Sequence, residues 1–351
     1  MSVKKVLIVG AAGATGSSIA NGLLESTTKF VCIPWRTQTL LLEKSPRSRA
    51  DSRDIYALTR PSSIQKPENQ SLKERGVNLV AADLKGPHEE LVKILTGIDV
   101  VISAVGADAQ LDQLPLVTAA KAAGVERFIP CGFITVAPPK GVMTLREQKE
   151  VVYNHIREIG LPFTIIDVGW WYQVSFPKLP SGRIDYASII PVDEIVGDGN
   201  MPSALTDVRD IGRYVARIIV DPRTLNKMIL AYNEVFSQNE IYDLLESLGG
   251  EKLERKYVSG PEVHGRLAAV EKAIEGEASP TMRVMMQVLQ YQISWGLRGD
   301  NTPENAKRLG YMTSKELYPD FEFVKFGDYL KEVIDGKASH PYQNRDLSDI
   351  K

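Results

Sequence analysis

The chain has 351 residues, with 43% hydrophobic and 25% charged side chains and a formal net charge of −2. This near-neutral balance excludes the global basic field that attracts nucleic acid or an anionic membrane. The two cysteines, Cys32 and Cys131, exclude a disulfide framework and fit a reducing compartment. No apolar run approaches the roughly 18 residues of a membrane span. We therefore expect a cytoplasmic protein, monomer or homodimer, without nucleic-acid or membrane partners.

A glycine-rich turn follows the first apolar run. Residues 6–9 (VLIV) are β-rich, lead into GAAGATG at residues 10–16, and are followed by a segment with an apolar helical face. Strand, glycine turn and helix form the context of a dinucleotide-binding fingerprint, although the spacing is GxxGxxG rather than GxGxxG. A plain glycine turn is the alternative. The predicted cofactor-binding residues of this turn are Gly10, Ala12, Gly13, Ala14, Thr15 and Gly16.

Alternating strand-like and helical runs continue to residue 167. They predict an α/β fold with a Rossmann-type, doubly wound parallel sheet in residues 1–167. Ligands bind at the carboxyl ends of the strands in such sheets. The strand ends therefore add the following predicted cofactor-binding residues: Asp83, Ala104, Val105 and Gly106.

Two apolar runs compete for the second strand of this sheet. Residues 30–33 lead to Arg36, and residues 55–58 lead to Arg60. Arg36 lies 20 positions after the last glycine of the turn, the usual distance of the residue that contacts the ribose, whereas Arg60 lies 44 positions after it. Only the second run, however, is followed by a polar segment and a further strand. We therefore assign 55–58 as the second strand and about 31–53 as an insertion.

The origin of the insertion stays open between a surface loop and a retained short intron. Residues 31–32 and 52–53 can be encoded by strings that resemble a splice donor and an acceptor. Cutting within codons 31 and 53 keeps the reading frame and joins Val31 directly to Asp54. Sequencing of the transcript distinguishes the two origins.

The strand that ends at Arg60 lacks the Asp or Glu that contacts the 2′-hydroxyl of NAD. A guanidinium suits a 2′-phosphate, so Arg60 favours NADPH/NADP⁺ as the cofactor, with Lys66 as a second cation. A solvated surface arginine is the alternative.

Five motifs spread along the chain occur together in one family of proteins. They are GAAGATG at 10–16, ALTR at 57–60, AAGVERFIP at 122–130, KEVVYNHIRE at 149–158, and DVRDIG at 207–212. Through them the sequence resembles the NmrA-like and isoflavone reductase-like family of atypical short-chain dehydrogenases. The resemblance covers nearly the whole chain except the insertion and the last residues.

The resemblance implies a catalytic lysine and a nicotinamide neighbour. Lys149 matches the family's lysine, which can bind the nicotinamide ribose and support proton transfer, and Phe133 can pack near the nicotinamide. Residues 130–134 read PCGFI where the reductases commonly have Pro-Ser-Glu-Phe-Gly, so the Ser and Glu of that motif are absent from this chain. A solvated helix lysine is the alternative for Lys149.

The resemblance places residues 169–176 at the border of the substrate cleft, within a smaller α+β substrate-binding region at 168–340. Four aromatic residues there could line a pocket for a flat substrate, with core packing as the alternative. These residues are Trp170, Trp171, Tyr172 and Phe176. Residues 341–351 are predicted to be a flexible tail. The histidines lack metal-ligand spacing, so no metal site is predicted.

Together, these features predict an NADPH-dependent reductase. Its expected substrate is a small aromatic or secondary-metabolite acceptor, such as an enone or imine. The alternative is a non-catalytic, NADP(H)-sensing regulatory protein of the NmrA type.

Overall fold

The computed structural model describes residues 5–26, 55–189, 193–274 and 279–340. The chain divides into two compact units. The first comprises Met1–Gly132, Val151–Ile165 and Ile211–Lys227; the second comprises Phe133–Glu150, Ile166–Asp210 and Met228–Lys351. The boundary at residue 167 stays a prediction. In the structure the chain enters the second unit at Phe133, and Val151–Ile165 and Ile211–Lys227 belong to the first unit. The predicted insertion at about 31–53 and tail at 341–351 lie outside the described residues.

The first unit contains a five-stranded parallel sheet. Its strands are β1 (Val6–Val9), β2 (Ile55–Thr59), β3 (Asn78–Ala81), β4 (Val100–Ser103) and β5 (Arg127–Ile129). They are hydrogen-bonded in the order β3-β2-β1-β4-β5. The chain therefore adds β2 and β3 on one side of β1, and then β4 and β5 on the other side. β1 and β4 are buried along their whole length, as central parallel strands are when both faces are covered. The predicted Rossmann-type fold is confirmed.

The second strand of the sheet is the run that precedes Arg60. β2 pairs in parallel with β1, with Ile55 opposite Val6, and with β3, with Tyr56 opposite Asn78. The assignment of residues 55–58 to this strand is therefore confirmed. The competing run at 30–33 lies outside the described residues.

Helices α1 (Ala14–Glu25), α2 (Pro67–Glu74), α3 (His88–Leu95) and α4 (Gln113–Ala122) also belong to the first unit. A close backbone contact explains why Ile211–Lys227 belongs to it too. A Cβ atom on Gly212 would lie 1.8 Å from the Ser18 carbonyl oxygen, and one on Gly22 would lie 2.2 Å from the Gly212 carbonyl carbon. The Gly212 amide also donates to Ser18 Oγ at 2.9 Å. Two glycines thus allow the segment to pack against α1.

The rest of the chain mixes short strands with helices. In chain order the elements are α5 (Thr144–Glu158), β6 (Thr164–Asp167), β7 (Trp170–Trp171), β8 (Ile195–Val196), β9 (Ser203–Thr206), α6 (Val208–Ile218), β10 (Lys227–Leu230), β11 (Glu234–Phe236), α7 (Gln238–Gly249), β12 (Tyr257–Val258), α8 (Gly260–Ala273), α9 (Pro280–Tyr291), α10 (Pro303–Arg308), β13 (Tyr311–Thr313), α11 (Ser314–Leu317) and α12 (Phe326–Ile334). The strands form three small sheets, in the orders β13-β10-β6, β11-β9-β7 and β12-β8. α9 continues directly into a π-helical turn, Gln292–Leu297. None of the helices in the described ranges is long and apolar enough to cross a membrane.

Candidate functional site

The turn between β1 and α1 is built so tightly that two of its glycines have no room for a side chain. Gly10 has a φ of +77°, and a Cβ atom there would lie 2.5 Å from the Ala104 carbonyl oxygen. A Cβ atom on Gly16 would lie 2.1 Å from the Gly10 carbonyl oxygen. The glycine turn is therefore also packed against the segment that follows β4.

The N-terminus of α1 offers backbone donors to an anion. Its N-cap is Gly13, and no side chain caps the helix. The first turn of a helix leaves N–H groups without intrahelical partners, and the helix dipole adds partial positive charge there. Ala12 is exposed, while Ala14 and Thr15 are half-buried. This arrangement fits the pyrophosphate of a dinucleotide.

The other predicted cofactor residues of the first unit follow neighbouring parallel strands. Arg60 is exposed directly after β2, and Asp83 is exposed after β3, where its Oδ1 accepts from the Lys85 amide at 3.0 Å. After β4, Ala104 and Val105 are half-buried and Gly106 is exposed. Because the strands are parallel, their carboxyl ends lie at one edge of the sheet, together with the glycine turn.

Phe133 belongs to the second unit and has a strained backbone. Its φ of +54° lies in the left-handed region, which is unusual for a bulky residue. The side chain is buried, and the amide donates to the Ile166 carbonyl oxygen at 2.7 Å. Strained backbone of this kind tends to occur at functional sites.

Lys149 is also in the second unit and is only 2% exposed, which is unusual for a lysine. Arg146, Asp167 and Tyr311 form a buried hydrogen-bonded cluster in the same unit, and the charge of Lys149 acts on Asp167. Asp167 Oδ2 accepts from Arg146 Nη1 at 3.0 Å and from the Tyr311 hydroxyl at 2.5 Å. Burial raises the pKa of Asp167, while the positive charges of Arg146 and Lys149 oppose that rise.

A cavity of about 400 Å³ lies within the second unit. Four aromatic side chains line it: Trp170, Phe236, Tyr291 and Trp295. The Trp170 ring centroid is 5.0 Å from that of Tyr291 and 5.9 Å from that of Trp295, so three of these rings form one aromatic wall. Two charged lining residues, Asp193 and Lys256, are exposed, whereas the polar lining residues Ser175, Ser203 and Gln238 are buried.

The four aromatic residues predicted to contact substrate occupy different environments. Trp170 lines the cavity, with its Nε1 donating to the Val174 carbonyl oxygen at 3.1 Å. Trp171 is half-buried in β7. Tyr172 and Phe176 are buried in a hydrophobic core, where the Tyr172 hydroxyl donates to Glu234 Oε2 at 2.7 Å. Neither of these two core residues is among the described residues that line the cavity.

Sequence analysis missed the π-helical contribution to the cavity. Gln292 and Trp295 lie in the turn that continues α9, and both line the cavity. π-Helical turns are rare and concentrate at functional sites. The only sequence signal was a second group of aromatic residues near position 293, far from the predicted cleft. In the described ranges, no group of three or more His, Cys, Asp and Glu residues could hold a metal ion.

Comparisons with known proteins place these features in context. The model of the NmrA-like family matches residues 2–318. The chain is 46% identical to an asnovolin J 5′,6′-dehydrogenase of Aspergillus novofumigatus, over 95% of this chain and 96% of that protein. It is 30% identical to an isoflavone reductase-like protein of Olea europaea, over 80% and 90%. A solved binary complex of leucoanthocyanidin reductase with NADPH from Vitis vinifera aligns with a TM-score of 0.73 and 25% identity, over 94% and 99%.

Proposed function

We infer, because this chain belongs to the NmrA-like family, that it is an NADP(H)-dependent oxidoreductase acting on small secondary metabolites. The main support for this inference is the carboxyl edge of the sheet in the first unit. There the backbone leaves no room for a side chain at Gly10 or Gly16, next to the N-terminus of α1, which no side chain caps. The NADPH complex of the leucoanthocyanidin reductase relative supports the same cofactor. When bound, the nicotinamide supplies or accepts the hydride.

The preferred cofactor is NADPH rather than NADH. Arg60 is exposed at the end of β2, where a guanidinium can bind a 2′-phosphate through paired charge-assisted hydrogen bonds. The remaining cofactor contacts that we propose come from the glycine turn, Asp83, residues 104–106 and Phe133.

Lys149 is the residue we propose for proton transfer. An ammonium group can donate a hydrogen bond or a proton to the reacting oxygen or nitrogen of the acceptor. Its 2% exposure distinguishes it from a solvated helix lysine.

The cavity favours a ring-bearing acceptor, such as an enone or an imine on an aromatic or polycyclic body. Its volume of about 400 Å³ is in the range of small-molecule pockets, and the wall of Trp170, Tyr291 and Trp295 suits a flat apolar ring. Gln292 Oε1 and Trp295 Nε1 are buried without hydrogen-bond partners among the described residues. A buried polar atom without a partner costs about 1–3 kcal/mol, so a polar ligand group that reaches either atom recovers part of this cost.

Cofactor binding is the first test. Calorimetry on the full chain should give an affinity for NADPH at least about tenfold above that for NADH, because the 2′-phosphate adds charge-assisted bonds. Arg60→Ala should remove this difference by weakening NADPH alone. Lys73→Ala, which removes an exposed cation from neighbouring α2, is the matched control and should leave both affinities unchanged.

Turnover is the second test. The absorbance of the reduced nicotinamide would be followed with ring-bearing enones and imines, and in the reverse direction with NADP⁺ and the saturated compounds, since the Aspergillus relative is named a dehydrogenase. Lys149→Met should lower kcat by at least about a hundredfold, the usual contribution of a general acid or base. Lys140→Ala removes an exposed lysine and should leave kcat unchanged. Tight NADPH binding without turnover in either direction would instead favour the NADP(H)-sensing function.

A further inference from the structure

Several polar side chains that line the cavity in the second unit already have hydrogen-bond partners within the protein. Gln238 uses both ends of its amide: Oε1 accepts from the Val196 amide at 2.7 Å, and Nε2 donates to the Glu194 carbonyl oxygen at 3.1 Å. The Glu194 carboxylate is bound by Arg266 at 2.6 and 3.0 Å. The Ser175 hydroxyl donates to a backbone carbonyl oxygen. These groups are therefore already used in holding the cavity wall together.

Two other lining side chains, Gln292 and Trp295, differ from these. Gln292 Oε1 and Trp295 Nε1 are buried, and neither atom has a hydrogen-bond partner among the described residues. Trp170, on the same aromatic wall, shows the usual arrangement, since its Nε1 donates to the Val174 carbonyl oxygen at 3.1 Å. A buried polar atom that makes no hydrogen bond lowers stability. Two such atoms in one cavity therefore indicate a ligand that supplies the missing bonds.

The π-helical turn that carries both residues is fixed by packing on other parts of the second unit. Ile293 is buried in a hydrophobic cluster with Val196, and Ser294 Oγ donates to Asp300 Oδ2 at 3.0 Å. A Cβ atom on Gly296 would lie 2.9 Å from the Val196 Cβ atom, so β8 packs directly on the turn. The two polar atoms are therefore held in place before a ligand arrives, which reduces the entropy that binding costs.

The two unpartnered atoms have opposite hydrogen-bonding character. An indole N–H only donates, and an amide oxygen only accepts. A ligand hydroxyl can accept from the first and donate to the second, whereas an ether or carbonyl oxygen can only accept. We propose that Gln292 and Trp295 are specificity-determining residues, which select acceptors that carry a hydroxyl group on the ring that packs against the aromatic wall. This proposal rests on the proposed function, in which the cavity binds the acceptor.

Calorimetry on the full chain with saturating NADP⁺ is the first arm of the test, because the oxidised cofactor cannot reduce an enone. The probes are chalcone, which is a flat enone between aromatic rings, its monohydroxy isomers, and the methoxy counterpart of each. At least one hydroxychalcone should bind at least about tenfold more tightly than chalcone and its own methoxy counterpart, since only the hydroxyl pairs with both buried atoms. If no isomer shows this preference, the proposal is overturned.

The second arm repeats the titrations with two variants. Trp295→Phe keeps an aromatic ring but removes the N–H, and Gln292→Met keeps the length of the side chain but removes the amide. Each should lower the hydroxyl preference to below about threefold and leave the affinity for chalcone itself within about threefold of the wild type. Gln287→Met, on α9 but not among the described residues that line the cavity, is the matched control and should keep the full preference. An unchanged preference in either Trp295→Phe or Gln292→Met would overturn the proposal.

The absorbance of the reduced nicotinamide, followed with the same probes, separates this proposal from the proposed function. If the hydroxyl preference in binding is present in the wild type and lost in both variants, but no probe oxidises NADPH, the recognition of a hydroxyl group stands and the proposed reaction of these acceptors is contradicted. If kcat/KM is the same for chalcone and for every hydroxychalcone, the proposed function stands and the specificity-determining role of Gln292 and Trp295 is overturned.

Discussion

At the residue scale, the tightest constraint on the cofactor turn is the space around Gly16. A Cβ atom there would lie 2.1 Å from the Gly10 carbonyl oxygen and 2.8 Å from the Ala11 Cα atom, and both of these are backbone atoms that cannot rotate away. Gly16→Ala must therefore displace the turn. We expect it to lower the free energy of unfolding by about 1–3 kcal/mol, as overpacking does, and to weaken NADPH binding by at least about tenfold. Denaturant unfolding and calorimetry measure the two effects.

Gly265 provides the matched control for this substitution. It lies inside α8, and an added Cβ atom would meet nothing within 4 Å. Gly265→Ala should raise the free energy of unfolding by up to about 1 kcal/mol, since alanine is the better helix former, and leave NADPH binding unchanged. Wild-type stability and affinity in Gly16→Ala would show that the turn relaxes more easily than its backbone contacts indicate.

At the element scale, the π-helical turn after α9 gives the cavity its second tryptophan. Trp295→Ala removes one ring of the aromatic wall, so we expect KM for the ring-bearing acceptor to rise by at least about tenfold, consistent with the loss of about 1.5–3 kcal/mol of apolar contact. NADPH affinity should not change. Steady-state kinetics checks this, with Met285→Ala as control, because Met285 is 54% exposed on the same helical segment. An unchanged KM would show that the acceptor binds elsewhere.

A second element-scale contact joins α8 to the cavity lining. Arg266 binds Glu194 through two hydrogen bonds of 2.6 and 3.0 Å, and these bonds lower the pKa of Glu194. A lowered carboxyl pKa stabilises the fold at pH values above the pKa of a free glutamate. This contribution is lost as the pH falls through the lowered value in the folded protein.

Because the pair is partly exposed, its contribution to stability should stay below about 1 kcal/mol. Glu194→Gln should therefore cost a little stability at neutral pH and almost none at strongly acidic pH. Denaturant unfolding over a pH series measures this. Lys272→Ala, which removes an exposed cation from α8, is the comparison, since the Arg266 pairing stays intact. If the loss of unfolding free energy in Glu194→Gln grows towards acidic pH, the Arg266 pair does not lower the pKa of Glu194.

Elements formed by local sequence could be predicted, and contacts between distant segments could not. β1, β2 and α1 follow from apolar runs and a glycine turn within a few residues of one another. The Tyr311–Asp167 bond joins residues 144 positions apart, and no local pattern indicates it. The same limit explains why residues 169–176 looked like one aromatic patch: β7 and the turn after it send Trp170 to the cavity and Tyr172 to the core.

At the scale of the whole molecule, the proposed cofactor should stabilise the folded chain by mass action. A ligand that binds only the folded state adds about 2.7 kcal/mol at a concentration one hundredfold above its Kd, which corresponds to a rise in Tm of several degrees. NADPH should therefore raise Tm, as measured by the helical circular dichroism signal, more than NADH at equal concentration.

The Arg60→Ala variant distinguishes this effect from non-specific stabilisation by a polyanion. If the Arg60 guanidinium binds the 2′-phosphate, the variant should show the same small rise in Tm with either cofactor, while its Tm without cofactor stays that of the wild type, because the side chain is exposed. Inorganic pyrophosphate, which carries negative charge without a nicotinamide or a 2′-phosphate on ribose, should give the same shift in both proteins. If NADPH still raises Tm more than NADH does in Arg60→Ala, another cation contacts the 2′-phosphate. Lys66, the N-cap of α2, is then the next residue to replace.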